Sequence, residues 1–156
     1  MLAIKSLVVN PERCTGCHRC ELWCSLTKWG ELNPARALVF VVRREPGVDS
    51  PVICYQCGLC ARVCPNRALV RDANTGAIRV DSGRCDGCGE CVAACPYGVI
   101  RVEPGMRIAV KCDLCGGEPA CVAHCPQGAL QCQEVEAGTW RKRETWALVN
   151  ASGPRR

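Results

Sequence analysis

The sequence has few large apolar side chains and no long apolar run. Only 4% of its 156 residues are aromatic, a single phenylalanine among them, and no stretch of 18 apolar residues occurs. A membrane-spanning helix needs about 20 such residues, so none is predicted. Because aromatic side chains dominate the energetics of ordinary cores, so small a number implies that something other than apolar burial holds the fold.

The chain also lacks an apolar signal-peptide segment and a twin-arginine start before its first cysteine, at position 14. This favours the cytoplasm, or export only when bound to a partner that carries a signal. The 17 cysteines are odd in number and grouped in tight clusters, which argues against a disulfide framework. Inorganic clusters fit better, and because they bind only the folded ligand set, we expect the cofactor-free chain to be largely unfolded.

Four segments each contain four closely spaced cysteines. The third, RCDGCGECVAACP at residues 84–96, has the C-x2-C-x2-C-x3-C-P spacing of bacterial [4Fe–4S] ligation. The second motif repeats it, the first has Ser25 in place of the proline, and the fourth has a middle gap of five residues. The motif cysteines are Cys14, Cys17, Cys20 and Cys24; Cys54, Cys57, Cys60 and Cys64; Cys85, Cys88, Cys91 and Cys95; and Cys112, Cys115, Cys121 and Cys125. The chain is therefore a fourfold repeat of cysteine loop, short helix, proline and strand.

This spacing favours [4Fe–4S] clusters over zinc. Three thiolates at positions i, i+3 and i+6 can surround one cluster while the intervening amides point at the sulfurs. A structural zinc site instead takes two C-x2-C pairs with a spacer between them. In two-cluster ferredoxins the fourth cysteine ligates the neighbouring cluster. This rule predicts one inner cluster on Cys54, Cys57, Cys60 and Cys95 and a second on Cys85, Cys88, Cys91 and Cys64.

The net charge of +5 mostly offsets cofactor charge. Sixteen thiolates on four positively charged cores would bring the total to about −3, which removes the main support for nucleic-acid binding. No acid–base pair, nucleophile or phosphate loop stands out. We therefore expect a protein that conducts electrons and is not itself an enzyme.

Between the motifs, apolar runs predict short strands at residues 1–9, 37–43, 98–102 and 107–111, and from Leu130 onward. Residues 68–70 and 77–80 predict a β-hairpin with Gly76 at a positive φ. Residues 25–36 predict a turn-rich loop after a short helix, and residues 45–51 a connection, because both contain glycine and proline.

The roles of several other residues allow two interpretations. We expect Cys132 to be a small buried apolar residue, and His18 and His124 to lie at the surface or behind the ligands. The aromatic residues Trp23, Trp29, Tyr55 and Tyr97 are expected to shield clusters from water. Trp140 and Trp146 suit either a partner interface or packing on the domain, and the basic run at residues 141–143 either a solvated face or an acidic partner.

With its widened fourth motif, KCDLCGGEPACVAHCP, the chain resembles the polyferredoxin electron-transfer subunits of molybdenum and tungsten enzymes, nickel CO dehydrogenases and hydrogenases, over roughly residues 4–132. The resemblance implies that the motifs nest, first with fourth and second with third. Together with the symmetry of the motifs, it places outer clusters on Cys14, Cys17, Cys20 and Cys125 and on Cys112, Cys115, Cys121 and Cys24.

The implied fold is α+β, with nested bacterial 2[4Fe–4S] ferredoxin-like halves around four clusters. The domain would occupy residues 1–138, with an inner half at about 50–104, an outer half from 1–49 and 105–138, and a tail at 139–156.

The first motif, CTGCHRCELWCSLTKWGELNPARALV, looks like the small-subunit branch attached to tungsten aldehyde oxidoreductases and CO dehydrogenase, and the chain lacks the longer insertions of the dimethyl-sulfoxide-reductase branch. The resemblance implies a cytoplasmic electron-transfer subunit. We expect it to pass electrons from a tungsten or molybdenum aldehyde oxidoreductase to a flavoprotein subunit that reduces NAD. The alternatives are a mediator between nickel CO dehydrogenase and a hydrogenase, and a free-standing polyferredoxin.

Overall fold

The structure of the protein is a computed structural model that describes residues 4–135. Its helices are short, and its strands are three to six residues long. The helices are α1 (Arg19–Trp29), α2 (Leu59–Val63), α3 (Glu90–Ala94) and α4 (Ala120–Ala123). The strands are β1 (Ile4–Val9), β2 (Phe40–Arg44), β3 (Val48–Val52), β4 (Leu69–Arg71), β5 (Ile78–Val80), β6 (Ile100–Glu103), β7 (Ile108–Lys111) and β8 (Leu130–Val135). This mixture confirms the α+β class. None of the described helices could cross a membrane.

The strands form four separate two-stranded antiparallel sheets. Three are hairpins of consecutive strands, β2–β3, β4–β5 and β6–β7. The fourth pairs β1 with β8, so that Ile4 lies opposite Val135 and Val9 opposite Leu130. The two ends of the described chain therefore meet. The sequence predicts a strand at each of these ends, at residues 1–9 and from Leu130 onward.

The short helices have a common origin in the motif spacing. Helices α2 and α3 end directly before Cys64 and Cys95, and each of these cysteines is followed by a proline. A proline within the helix would lack the N–H and would clash with the preceding turn, so the helix stops. The predicted order of cysteine loop, short helix, proline and strand holds for the second, third and fourth motifs.

Helix α1 is longer than predicted, which corrects the loop expected over residues 25–36. It runs on to Trp29 and ends at Gly30, whose φ is 72° and whose N–H donates to the carbonyl of Leu26 over 2.8 Å. Ser25 stands where the other motifs have proline, and its hydroxyl donates to the carbonyl of Leu22 over 2.9 Å. The helix therefore continues because nothing at position 25 breaks it.

A hairpin occupies the segment predicted as strand 37–43 followed by a connection at 45–51. Strand β2 starts at Phe40, and β3 contains Pro51, which lies opposite Val41. Proline removes one ladder hydrogen bond but is accepted at a sheet edge. Both strands of a two-stranded sheet are edges, so the proline does not exclude a strand here.

The predicted hairpin at residues 68–80 is confirmed. Strands β4 and β5 pair across a turn in which Gly76 has a φ of 71°. The Asp72 carboxylate accepts from the backbone N–H groups of Asn74 and Thr75, over 3.0 and 2.9 Å. The predicted strands 98–102 and 107–111 are also present, as β6 and β7.

Two apolar cores contain most of the buried hydrophobic side chains of the described residues, and cysteines belong to both. The outer core consists of Leu7, Cys20, Val39, Ile53, Ala77, Leu114, Cys121 and Leu130. The inner core consists of Cys60, Leu69, Ile78, Cys91, Ile100 and Ala109. The β6–β7 hairpin spans the expected division at residues 104–105 and therefore links the two parts of the chain.

Candidate metal centres

Three cavities are each lined by four motif cysteines, three from one motif and the last from another. The first, of about 330 Å³ including open solvent, is lined by Cys14, Cys17, Cys20 and Cys125. The second, also about 330 Å³, is lined by Cys54, Cys57, Cys60 and Cys95. The third, about 280 Å³, is lined by Cys85, Cys88, Cys91 and Cys64. We call these groups sets 1, 2 and 3. The structure thus brings cysteines from distant motifs to each of these three cavities, and the ligation of clusters by these sets stays a prediction.

The remaining motif cysteines also lie together. Burial raises the pKa of Cys121, and negative charge on Cys112, Cys24 and Cys115 raises it further. Cys112, Cys115, Cys121 and Cys24 form set 4. Cys20 of set 1 also raises the pKa of Cys121, which makes sets 1 and 4 neighbours.

Backbone conformation in the motif loops allows the chain to curve around each set. The residue before α1, α2 and α3 is in the left-handed region: His18 with φ 58°, Gly58 with φ 89° and Gly89 with φ 84°. In the widened fourth motif, Leu114 and Cys115 adopt positive φ as well. Such turns direct successive amides toward one concave side, which favours a negative ligand there.

Backbone amides donate directly to the sulfur of four motif cysteines. The donors are Leu38 to Cys24, Ala68 to Cys64 and Ala109 to Cys85, each over 3.3 Å, and Ala129 to Cys125 over 3.2 Å. At Cys125, burial raises the pKa, but backbone N–H groups from Leu130, Ala129, Gln127 and Gly128 lower it more. These amides stabilise the thiolate, the form that binds metal.

Seven of the other motif thiols have raised pKa values, and burial is the largest cause in each. Burial, with Glu21 and the other set 1 thiols of the first motif, raises the pKa of Cys20 to about 12. Burial and its set 2 neighbours likewise raise the pKa of Cys60 to about 12, against an opposing effect of Lys111. Thiolates packed together in this way need a positive counter-charge, and an iron–sulfur core supplies one. The donor set therefore fits [4Fe–4S] clusters.

A single metal ion fits less well. Within residues 4–135, no three His, Cys, Asp or Glu side chains converge closely enough to hold one ion. The cysteines of sets 1, 2 and 3 instead surround cavities.

The sequence matches two iron–sulfur family models. Residues 49–135 match the 4Fe-4S dicluster domain, which covers more than half of the chain, and residues 11–26 match a 4Fe-4S binding domain. The chain belongs to the 4Fe-4S dicluster domain family. Multiple [4Fe–4S] clusters are therefore its cofactors, and the predicted number of four agrees with its motifs.

Curated relatives are named as electron carriers. The polyferredoxin-like subunit of aliphatic sulfonate oxidoreductase from Pyrococcus furiosus is 39% identical over 110 residues, 69% of this chain and 64% of the relative. Electron transport protein HydN of Escherichia coli is 35% identical over 104 residues, 62% of this chain and 58% of the relative. Putative electron transport protein YsaA of E. coli is 36% identical over 143 residues, 83% of this chain and 90% of the relative. The chain thus spans less than two thirds of the first two relatives, and these names agree with the predicted non-catalytic role.

A similar solved structure belongs to an enzyme complex. A chain of the active site complex BamBC of benzoyl coenzyme A reductase, with 1,5-dienoyl-CoA, aligns with a TM-score of 0.54 and 27% identity. The alignment covers 98% of this chain and 94% of that chain.

Two of the aromatic residues expected to shield clusters line one of the cavities. The Tyr55 and Tyr97 rings, 4.9 Å apart, line the set 2 cavity. The Trp23 and His124 rings stack at 3.5 Å. His18 lies 2.9 Å from the Glu21 carboxylate. The indole of Trp29 donates to the Arg36 carbonyl over 2.8 Å. Cys132 is half-buried and lies opposite Leu7 in the strand pair. Trp140, Trp146 and residues 141–143 lie outside the described residues.

Sequence reasoning missed three buried polar residues beside the cysteines: Glu21, Gln56 and Lys111. Glu21 accepts from the backbone N–H of Val41 over 2.6 Å. Gln56 and Lys111 are hydrogen-bonded to each other over 2.8 Å. A lysine directly before a motif cysteine was the available signal, but the sequence alone does not indicate its burial.

Proposed function

We propose that the chain is the electron-transfer subunit of an oxidoreductase complex, with one [4Fe–4S] cluster on each of the four cysteine sets. A bound cluster takes up and releases one electron at a time. The observation that supports this most strongly is the gathering of cysteines from different motifs into sets that fit such clusters. No catalytic role is assigned to the chain.

The packing of the cysteines supports a linear order of the sets. Cys60 of set 2 and Cys91 of set 3 share the inner core, whereas Cys20 of set 1 and Cys121 of set 4 share the outer core. Charge on Cys54 of set 2 raises the pKa of the half-buried Cys112 of set 4. The order would therefore be set 3, set 2, set 4 and set 1. Cys88 and Cys17 are the exposed cysteines, one in each terminal set, so both ends can face a partner.

The ligand assignment is tested by replacing Cys95. This residue belongs to the third motif but lines the cavity of set 2. We expect Cys95→Ser to damage the cluster of Cys54, Cys57 and Cys60 and to spare that of Cys85, Cys88 and Cys91. Iron content and electron paramagnetic resonance (EPR) of anaerobic protein measure this, with Cys132→Ser as the matched control that keeps all clusters. Intact signal from set 2 in Cys95→Ser would refute the exchange of ligands between motifs.

For the partner, we propose a tungsten or molybdenum oxidoreductase of the aldehyde oxidoreductase kind, with a flavoprotein as electron acceptor. The likeness of the first motif to that branch supports the choice. The names of the Pyrococcus furiosus relative and of the benzoyl coenzyme A reductase complex support a catalytic oxidoreductase partner in general. A mediator between nickel CO dehydrogenase and a hydrogenase is the alternative within the same class.

A second candidate is a free-standing carrier. YsaA, which this chain matches over 90% of its length, is named a putative electron transport protein without reference to a complex. Anaerobic purification of the native protein with metal analysis separates the possibilities. Co-purification with tungsten or molybdenum supports the leading proposal, nickel supports the alternative, and a lone monomer supports the free carrier.

A further inference from the structure

Lys111 is a buried lysine between the two parts of the proposed electron path. It ends β7, directly precedes Cys112 of set 4, and is only 4% exposed. It also lines the cavity of set 2. Its side chain is therefore next to two sets that come from opposite halves of the predicted domain.

Its hydrogen bonds indicate the charge state of this side chain. Nζ donates to Oε1 of Gln56 over 2.8 Å, to the carbonyl of Ile78 over 2.8 Å and to the carbonyl of Cys112 over 2.7 Å. A neutral amine has two hydrogens, whereas an ammonium has three donors. Three acceptors around one nitrogen therefore require the ammonium.

Gln56 fixes the orientation of this network. Its Oε1 accepts from the backbone N–H of Ile78 over 3.0 Å, and its Nε2 donates to the carbonyl of Cys112 over 2.9 Å. The amide cannot be reversed without placing like groups against each other. Gln56 is 0% exposed and lies two residues after Cys54, so it joins the second motif to the fourth.

In the described part of the chain, no carboxylate neutralises the charge of Lys111. Among residues 4–135, its Nζ makes no ion pair with Asp or Glu, and its partners are two carbonyls and one amide oxygen. The groups near it that become negative when they ligate a cluster are cysteine thiolates. Lys111 lowers the pKa of Cys57 and Cys60 in set 2 and of Cys112 in set 4, each against the larger effect of burial. A buried cation is costly unless it is compensated, so its counter-charge must come from these two sets.

We propose that Lys111 is a potential-setting residue, whose buried ammonium raises the reduction potentials of the clusters on sets 2 and 4. The inference rests on the proposed function, since it requires clusters on these sets. When either cluster gains one electron from its neighbour in the chain, its net charge becomes more negative by one, and no bond or proton changes. A nearby fixed positive charge favours that reduced state, because it attracts the added electron more strongly in a dry site than in water.

The experiment is a redox titration followed by EPR on anaerobic holoprotein. Lys111→Met removes the charge and keeps most of the side-chain length. We expect two of the four midpoint potentials to fall. At the wild-type midpoint, the ratio of reduced to oxidised cluster should drop at least tenfold, which corresponds to a shift of about 59 mV for one electron. The other two potentials should stay where they are.

A second variant covers the case in which Lys111→Met does not assemble. Lys111→Gln removes the charge but keeps an amide NH₂ that can donate to backbone carbonyls, so it should lower the same two potentials. The matched control is Arg79→Met, because Arg79 follows Ile78 on β5 and its side chain is 61% exposed. Solvent screens such a charge, so all four midpoint potentials should stay at their wild-type values.

The outcomes separate this inference from the function on which it rests. Wild-type protein without four one-electron signals would refute the proposed function. Only the role of Lys111 would be refuted if the wild-type protein gave all four signals and a variant with all its clusters had unchanged potentials. The same conclusion would follow if the four potentials of that variant shifted equally.

Discussion

At the scale of single residues, two glycines flank Cys88 in the same conformation but in different surroundings. Gly87 has a φ of 74° and Gly89 a φ of 84°. A Cβ added at Gly87 would lie 2.2 Å from the carbonyl oxygen of Arg107, whereas one added at Gly89 would have nothing within 4 Å. The third motif loop therefore packs directly against the turn between β6 and β7.

We predict that Gly87→Ala prevents binding of the cluster on set 3. The added methyl clashes with backbone, which cannot move aside as a side chain can, so the loop must leave the hairpin. Gly89→Ala is the matched control, because it adds only the left-handed strain of about 1–2 kcal/mol. Iron analysis of anaerobic protein should show the loss of one cluster from Gly87→Ala and a full complement in Gly89→Ala. Equal iron in the two variants would contradict the prediction.

From the sequence, cysteine ligands can be proposed, whereas their polar neighbours Gln56 and Lys111 cannot. Cysteine spacing is a local signal, because three ligands of one cluster lie within seven residues in the first three motifs and within ten in the fourth. The contact between Gln56 and Lys111 joins positions 55 apart, and neither side chain belongs to a repeated pattern. Tertiary folding alone brings them together, so no reading of local sequence could have found the pair.

At the scale of elements, the β4–β5 hairpin has one face in the inner core and one in solvent. Leu69 is 6% exposed and packs in that core, whereas its neighbour Val70 is 49% exposed. Alternation of this kind is what a half-buried strand requires. The hairpin is therefore held to the rest of the chain by one face.

We predict that Leu69→Ala lowers the free energy of unfolding by about 2–5 kcal/mol, because it removes buried methyl groups and leaves a cavity beside Cys60 and Cys91. Val70→Ala, one position along, should cost about 0.5 kcal/mol or less, as exposed sites usually do. Anaerobic denaturation followed by cluster absorbance measures both. A similar midpoint for the two variants would mean that the inner core does not depend on this strand.

The sequence predicted elements well where turn residues were decisive and less well elsewhere. Asn74-Thr75-Gly76 marked the β4–β5 turn correctly, because a positive φ suits glycine. Pro51 led to the wrong assignment of β3, since the two-stranded sheet that tolerates proline there could not be foreseen. The end of α1 was misplaced because Ser25, unlike proline, does not stop a helix.

At the scale of the whole molecule, secondary structure alone is too sparse to hold the chain together. Each of the four described sheets has only two strands, and α2, α3 and α4 have four or five residues. Isolated hairpins and helices of this length are at best marginally stable in water. Two of the eight buried residues of the outer core and two of the six of the inner core are cysteines, and in the holoprotein their sulfurs are expected to contact iron.

We therefore predict that removal of iron unfolds the protein as a whole. Without the positive cores, the buried thiols lose the charge that compensates them, and the cavities in sets 1, 2 and 3 lose their contents. Anaerobic treatment with an iron chelator should abolish far-ultraviolet circular dichroism and collapse the dispersion of amide NMR signals. Reconstitution with iron and sulfide should restore both, which separates unfolding from chemical damage. If the iron-free chain kept its native spectrum, stability would come from apolar packing and not from the clusters. The outer core would then have to be sustained by its leucines, Leu7, Leu114 and Leu130.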